Sequence, residues 1–143
     1  APSCHPNAHR NRGITSEETS ASPCHRMIRK STDTPDESRP LAAGGGKLEL
    51  VTTDSGLFGR ARFDPAWKWS EHVKPIAGTA SCQAAHVAYF VSGRMKVVMD
   101  DNAEEEFGPG DLMICLAGHD AWIVGDEACV FVDWAGFGHD AKP

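Results

Sequence analysis

Short β-type runs follow one another from Lys47 to Trp134, and their spacing limits the fold more than any other feature. The runs arrive roughly every 8 to 12 residues and are rich in β-branched and aromatic side chains. They are KLELVTT, LFGRARF, HVAYFV, RMKVVM, DLMICL, AWIVG and CVFVDW. Turn residues such as Ser92-Gly93 and Gly108-Pro109-Gly110-Asp111 separate them. The pattern predicts an all-β sandwich or small barrel, with any helix confined to a short turn in the N-terminal tail.

The composition changes near residue 46. Residues 1–46 contain no Phe, Tyr or Trp, are rich in Ser, Thr, Pro and charged residues, and close on Gly44-Gly45-Gly46. Such a stretch buries too little apolar surface to offset the entropy of ordering it. We therefore expect a disordered tail over 1–46 and one folded domain over 47–143. Met27 opens a run typical of the start of a small cytoplasmic protein, which leaves open whether residues 1–26 belong to the natural protein.

Charge and hydropathy exclude several partners. The chain of 143 residues has a net charge of -6 and a pI near 5.6, which disfavours a nucleic-acid-binding surface. No apolar run is long enough to span a bilayer, and the N-terminus lacks the apolar core of a secretory signal. We expect a cytoplasmic protein that contacts neither nucleic acid nor membrane.

The cysteines do not form a recognisable framework. There are five of them, scattered without CxxC spacing, which suits neither a set of disulfides nor a zinc ribbon. Cys115 and Cys129 lie in apolar runs and are expected to be small buried hydrophobic residues.

Some predicted strands are apolar on both faces. In HVAYFV one parity carries His86, Ala88 and Phe90, and the other carries Val, Tyr and Val. A strand buried on both sides in a small domain needs a second sheet on one side and a further cover on the other. The sequence therefore predicts a homodimer.

The stretch from Phe63 to Trp134 resembles the cupin family of small jelly-roll barrels. The family pattern has a Gly, a His-x-His pair, a Glu and a closing Gly, followed by Gly, Pro-x-Gly and a final His. FVSGRMKVVMDD is similar to the family's hairpin after the first motif, with Gly93 as the closing glycine. GPGD at 108–111 is similar to the turn that opens the second motif. The resemblance implies a single jelly-roll (cupin-type) β-barrel, many of which hold one metal ion in the barrel mouth.

The resemblance also implies metal ligands. His86, seven residues before Gly93, stands where the family has Glu. One register makes His72 the first His of the pair, and another places Cys82 at the second position. His119 lies two residues before the position of the final His. Imidazole and thiolate ligands suit a divalent metal ion, with Zn, Fe, Mn, Ni and Cu left open. The predicted ligands are His72, His86, His119 and Cys82.

Aromatic residues flank these positions. Trp67, Trp69 and Trp122, together with Phe90, are predicted to line a pocket for a small-molecule ligand or substrate. Barrel core or dimer interface is the alternative role for these side chains. Two functions stay open: a metal-dependent enzyme of the oxygenase or isomerase type, and a non-catalytic binding or sensing module. No residue is assigned a catalytic role.

Overall fold

The structure, a computed structural model, describes residues 27–41 and 45–138. Residues 1–26, the larger part of the predicted tail, lie outside the described residues. So does the end of the chain from residue 139.

Two antiparallel sheets face each other and form the predicted β-barrel. The larger sheet has the strand order β1-β2-β3-β9-β4-β7, and the smaller has the order β6-β5-β8. The strands are β1 (Glu37–Pro40), β2 (Gly46–Thr53), β3 (Gly56–Phe63), β4 (His86–Ser92), β5 (Arg94–Met99), β6 (Glu104–Phe107), β7 (Leu112–Cys115), β8 (His119–Val124) and β9 (Cys129–Asp133). The predicted all-β jelly-roll architecture is confirmed.

Buried residues alternate with more exposed ones along the strands, and the buried side chains fill the space between the sheets. In β8 the odd-numbered residues from His119 to Ile123 are buried and the even-numbered ones are half-buried. In β4, Phe90 is fully buried and its ring packs against Phe131 at a centroid distance of 5.2 Å. Burying one such side chain contributes about 1.5–3 kcal/mol. Phe90 is therefore part of the core.

The two cysteines predicted to be buried hydrophobes are buried. Cys129 is fully enclosed, and burial raises the pKa of its thiol to about 12. Burial also raises the pKa of the Cys115 thiol. Both groups therefore stay as neutral thiols at physiological pH, and this prediction is confirmed.

The folded part begins earlier than the predicted boundary at residue 46. Strand β1 pairs with β2 in the register Arg39↔Leu48, and both Arg39 and Leu41 are buried. A four-residue edge strand adds backbone hydrogen bonds and a little apolar surface. The predicted boundary rested on the lack of aromatic residues, but β1 pairs with β2 without any aromatic side chain.

Helix occurs in the middle of the chain, so the expectation that it would be confined to the tail is wrong. Helices α1 (Trp69–His72) and α2 (Lys74–Ala77) follow β3. Pro75 lies in the first turn of α2, and Gly78 ends it in the left-handed region with φ 70°. Helices of four residues are too short to leave a periodic pattern in the sequence.

Gly93 connects the two sheets and does not close a hairpin. β4 pairs with β7 and β9, whereas β5 pairs with β6 and β8, so the expected β4–β5 hairpin is wrong. Gly93 has φ 69°, and a Cβ there would lie 2.5 Å from the Ala128 carbonyl oxygen. Only glycine fits this crossing.

Candidate metal centre

Three of the four predicted ligands meet at one point in the barrel. One ligand atom each from Cys82, His86 and His119 lies within 4.8 Å of the others. His86 begins β4 and His119 begins β8, while Cys82 precedes β4 in a loop. An isolated bridge ties that loop to β8, because the Cys82 amide donates to the His119 carbonyl at 2.8 Å. Two separate sheets and one loop therefore build the cluster.

The His86 ring is held by a hydrogen bond on one side and faces a thiol on the other. Its Nδ1 lies 2.5 Å from Oδ2 of Asp133, and its Nε2 lies 3.9 Å from Sγ of Cys82. The Asp133 side chain is completely buried. Since a carboxylate accepts the Nδ1 proton, the lone pair of Nε2 is directed at Cys82.

Asp133 is kept ionised despite its burial. Burial alone would raise the pKa of the carboxyl, but the hydrogen bond from His86 and the amides of Ala135 and Gly136 lower it by more. These amides donate to Oδ1 at 2.7 Å and 2.9 Å. The net result is a pKa below the usual range, so Asp133 is a carboxylate at neutral pH.

Gly136 packs directly against His86 and Asp133, where any side chain would clash with them. A Cβ at this position would lie 1.9 Å from Nδ1 of His86 and 2.6 Å from Oδ2 of Asp133. The following residue, Phe137, is buried over the site, with its ring 6.1 Å from the His86 ring. The C-terminal 3-10 turn at Gly136–Gly138 thus closes one side of the cluster.

His119 is oriented by the backbone. Its Nδ1 lies 2.8 Å from the Leu116 carbonyl oxygen and 3.3 Å from Sγ of Cys115. The carbonyl accepts a proton from Nδ1, so Nε2 can bind a metal ion without breaking this hydrogen bond.

The distance between the Cys82 and His86 donor atoms is close to that expected for two ligands of one metal ion. Metal–sulfur and metal–nitrogen bonds of about 2.3 and 2.05 Å at the tetrahedral angle put S and N about 3.6 Å apart. The observed distance between Sγ of Cys82 and Nε2 of His86 is 3.9 Å. A contraction of a few tenths of an ångström would bring both atoms into bonding range.

His72 lies outside this cluster, unlike the predicted ligand set. It ends helix α1, and its Nδ1 lies 3.0 Å from the Lys68 amide nitrogen and 2.9 Å from the Lys68 carbonyl oxygen. The helix turns the ring back onto its own first turn, so the imidazole does not reach the other ligands.

An apolar cavity of about 60 Å³ adjoins the cluster. Of the four residues predicted for a ligand pocket, Trp67 and Trp69 line this cavity, whereas Phe90 and Trp122 do not. Trp122 points outward from β8, and the Lys68 ammonium lies 5.2 Å from its ring centroid. The other walls are formed by apolar side chains that include Leu41, Leu48, Phe63, Met95, Val97, Met113, Phe131 and Phe137.

Asp133 is the site residue that the sequence reasoning missed. It ends the run CVFVDW, and alternation places it on the same face as the buried Cys129 and Phe131. An acidic residue on the inward parity of an apolar strand needs a buried partner. That signal was present in the sequence, although it does not name His86 as the partner.

Comparison with known proteins identifies the fold. No protein-family model matches the sequence, and no curated protein matches it significantly. Solved structures do match. A double-stranded β-helix domain protein from Klebsiella pneumoniae aligns with a TM-score of 0.52 and 16% identity, over 81% of this chain and 95% of that one. The chain has the cupin fold.

Two further cupin-fold neighbours are enzymes. The polyketide cyclase RemF from Streptomyces resistomycificus aligns with a TM-score of 0.54 and 18% identity, over 78% of this chain and 80% of that one. The oxalate decarboxylase from Lactobacillus farciminis, solved with formate, has a TM-score of 0.55 and 16% identity. The alignment covers 82% of this chain but 36% of the decarboxylase chain. At these identities the likeness concerns the fold alone.

The helices of this cupin-fold chain are short. Within 27–41 and 45–138, none is long and apolar enough to cross a membrane.

Proposed function

We propose that this cupin binds one divalent metal ion through Cys82, His86 and His119 and uses it to act on a small organic molecule. The observation that carries the proposal is the convergence of one sulfur and two imidazole donors within 4.8 Å, at the wall of an otherwise apolar cavity. Three protein ligands leave at least one coordination position for water or substrate.

The types of donor atom narrow the choice of metal ion. A thiolate with two imidazoles favours Zn, Fe, Cu or Ni over Mn, which prefers oxygen ligands. A bound ion of this kind would act as a Lewis acid toward an oxygen of the substrate. Asp133 and the Leu116 carbonyl would hold the two imidazoles in the orientation that ligation needs.

The cavity lining favours chemistry at the metal, or simple binding, over acid–base catalysis by side chains. No Asp, Glu, Lys or Arg is among the described residues that line the cavity. This same observation supports a second candidate, a non-catalytic module that binds or senses a small molecule. Fold likeness does not choose between the two, because one fold hosts many activities.

Elemental analysis of protein purified without an affinity tag tests the metal site. We expect close to one equivalent of a transition metal in the wild type and a large loss in Cys82→Ser, His86→Ala and His119→Ala. His72→Ala is the matched control and should keep its metal, since His72 lies outside the cluster. Equal metal content in the wild type and His86→Ala would contradict the proposal. Stoichiometric metal with no turnover of any small molecule would leave the binding module.

A further inference from the structure

Trp67 carries a buried hydrogen-bond donor that has no acceptor among the described residues. The residue is 4% exposed and lines the cavity. Within 27–41 and 45–138, its Nε1 is the one buried side-chain nitrogen or oxygen that lacks a hydrogen-bond partner. Because an indole N–H is a donor only, it needs a hydrogen-bond acceptor as its partner. Buried donors without an acceptor are rare and costly, which points to an acceptor supplied from outside the chain.

The indole cannot easily turn away to find an acceptor elsewhere. Its ring stacks on Phe63 with centroids 4.0 Å apart and planes 15° from parallel. The backbone is fixed on both sides, because the Trp67 amide donates to Asp64 at 3.1 Å and the Trp67 carbonyl accepts from Ile123 at 3.0 Å. The preceding Ala66 holds a left-handed conformation with φ 69°, which is unfavourable for alanine. The donor is therefore held in a fixed position.

The rest of the cavity indicates what kind of molecule could supply the acceptor. Apart from the metal-ligand cluster, the lining consists of apolar side chains such as Trp69, Met95 and Phe131. A charged group packed against these apolar walls would lose its hydration and gain no ionic partner from them. A water molecule needs at least about 10–15 Å³ of such a cavity and takes up about 30 Å³ in the liquid. The 60 Å³ available thus corresponds to about two to four non-hydrogen atoms.

We propose that the cavity binds a small neutral organic molecule whose single oxygen acceptor, a carbonyl or hydroxyl oxygen, takes the hydrogen bond from Nε1 of Trp67. The apolar remainder of the molecule packs against the aromatic and aliphatic walls. This inference deepens the proposed function by naming the class of ligand, but it rests on the indole donor and not on the metal.

A matched pair of probes tests it. Acetone and isobutene have nearly the same shape, and only the ketone offers an oxygen acceptor. Both are titrated into the full-length ¹⁵N-labelled protein, and the indole N–H resonances are followed by NMR. The Trp67 resonance is assigned from its contact with the Phe63 ring. We expect the ketone to bind about 5- to 10-fold more tightly, as one net hydrogen bond implies, and to move the Trp67 indole proton downfield.

Trp67→Phe should abolish the preference for the ketone, while Trp122→Phe, a matched change outside the cavity, should retain it. If Trp67→Phe does not fold, the indole shift in the wild type still decides the question. Equal affinity for the two probes would overturn the inference. So would binding of neither probe, or ketone binding without an indole shift because a retained water holds the N–H.

Running the titration on zinc-loaded and on chelator-treated protein separates this inference from the metal proposal. A ketone preference in protein that takes up no zinc when zinc is supplied would sustain the ligand class and count against the metal site. Stoichiometric metal with no ketone preference would do the reverse.

Discussion

The buried carboxylate of Asp133 orients the metal-ligand cluster, although it is not one of the proposed ligands. It accepts three hydrogen bonds, one from His86 and two from the backbone of the C-terminal turn. The first fixes which imidazole nitrogen faces Cys82, and the other two hold the turn that covers the pair. A single side chain thus links the orientation of a ligand to the closure of the cavity.

Replacing Asp133 by Asn should weaken metal binding without removing a ligand. The new amide keeps its oxygen on the amides of Ala135 and Gly136, so its NH2 group faces Nδ1 of His86 and donates where the carboxylate accepted. His86 then loses its fixed tautomer, and we expect metal affinity to fall about 10- to 100-fold. Competition against a chromophoric chelator measures this. Asp120→Asn is the control, because Asp120 neighbours His119 in sequence but binds the backbone of Ser70 and Ala121. Equal affinities for the wild type and Asp133→Asn would show that the carboxylate does not act through His86.

Most residues of this site could be predicted from the sequence, but their arrangement in space could not. Motif spacing pointed to His86, and proximity to the motifs pointed to His119 and Cys82. These residues meet because a bridge joins the loop of Cys82 to β8, a contact between segments 37 residues apart. Such pairing depends on tertiary structure and leaves no local signal. His72 looked equivalent in sequence, and a single helical turn directs it elsewhere.

At the level of elements, alternation predicted the strands well but not their partners. The runs at His86–Ser92 and Arg94–Met99 were correctly read as strands, yet they belong to different sheets. The dipeptide Ser92-Gly93 between two such runs ordinarily predicts a hairpin. Here the close approach of Gly93 to Ala128 explains the glycine instead. The turn residue was visible in the sequence, whereas the contact that requires it was not.

Strands β2 and β3 are joined by ion pairs on the outer face of the larger sheet. Glu49 on β2 binds Nε of Arg60 at 2.6 Å and Nζ of Lys47 at 2.6 Å. Arg60 also binds Asp33 at 2.9 Å, which ties the segment before β1 to the sheet. The Glu49 side chain is 10% exposed, so solvent screens these pairs only in part.

Glu49→Gln should destabilise the protein in a pH-dependent way. The hydrogen bond from Arg60 lowers the pKa of Glu49, burial opposes this, and the bond from Lys47 adds to the lowering. Because the folded-state pKa lies below the usual 4.5, ionised Glu49 stabilises the fold fully above about pH 4.5 and loses that effect as pH falls through the lower value. We expect a loss of about 1–2 kcal/mol at pH 7 that shrinks in acid.

Urea unfolding of the two proteins at pH 7 and at successively lower pH measures the difference. Glu71→Gln, at an exposed position on α1, should change stability little at any pH. A cost for Glu49→Gln that stays constant into acid would mean that its charge is not the source of the stabilisation.

At the scale of the whole molecule, one side of the larger sheet presents an apolar surface. Val87, Tyr89 and Val91 project outward from β4, and Leu112 and Ile114 project outward from β7. The register pairs Val87 with Ile114 and Tyr89 with Leu112, so these side chains form one continuous patch. Contiguous exposed apolar surface on a small domain usually marks an interface.

We propose that a second copy of this chain covers the patch in a symmetric homodimer, as the two-sided apolar strands of the sequence predict. The five outward side chains carry no charge, so two copies can meet there without like-charge contact. Elsewhere the net charge of -6 opposes self-association. β7 is also the terminal strand of the larger sheet in the described part of the chain, and a two-fold axis beside it would bring two such strands together.

Ile114→Lys tests this assembly. Ile114 is 72% exposed in the single chain, so the substitution should cost the monomer little, whereas a buried lysine at each side of a two-fold interface would oppose dimerisation. We expect light scattering at tens of micromolar to give a dimer mass for the wild type and a monomer mass for Ile114→Lys. Ile76→Lys is the matched control, because Ile76 is 52% exposed on α2, away from the patch, and should remain dimeric. A monomeric wild type, or a dimeric Ile114→Lys, would show that this face is not the interface.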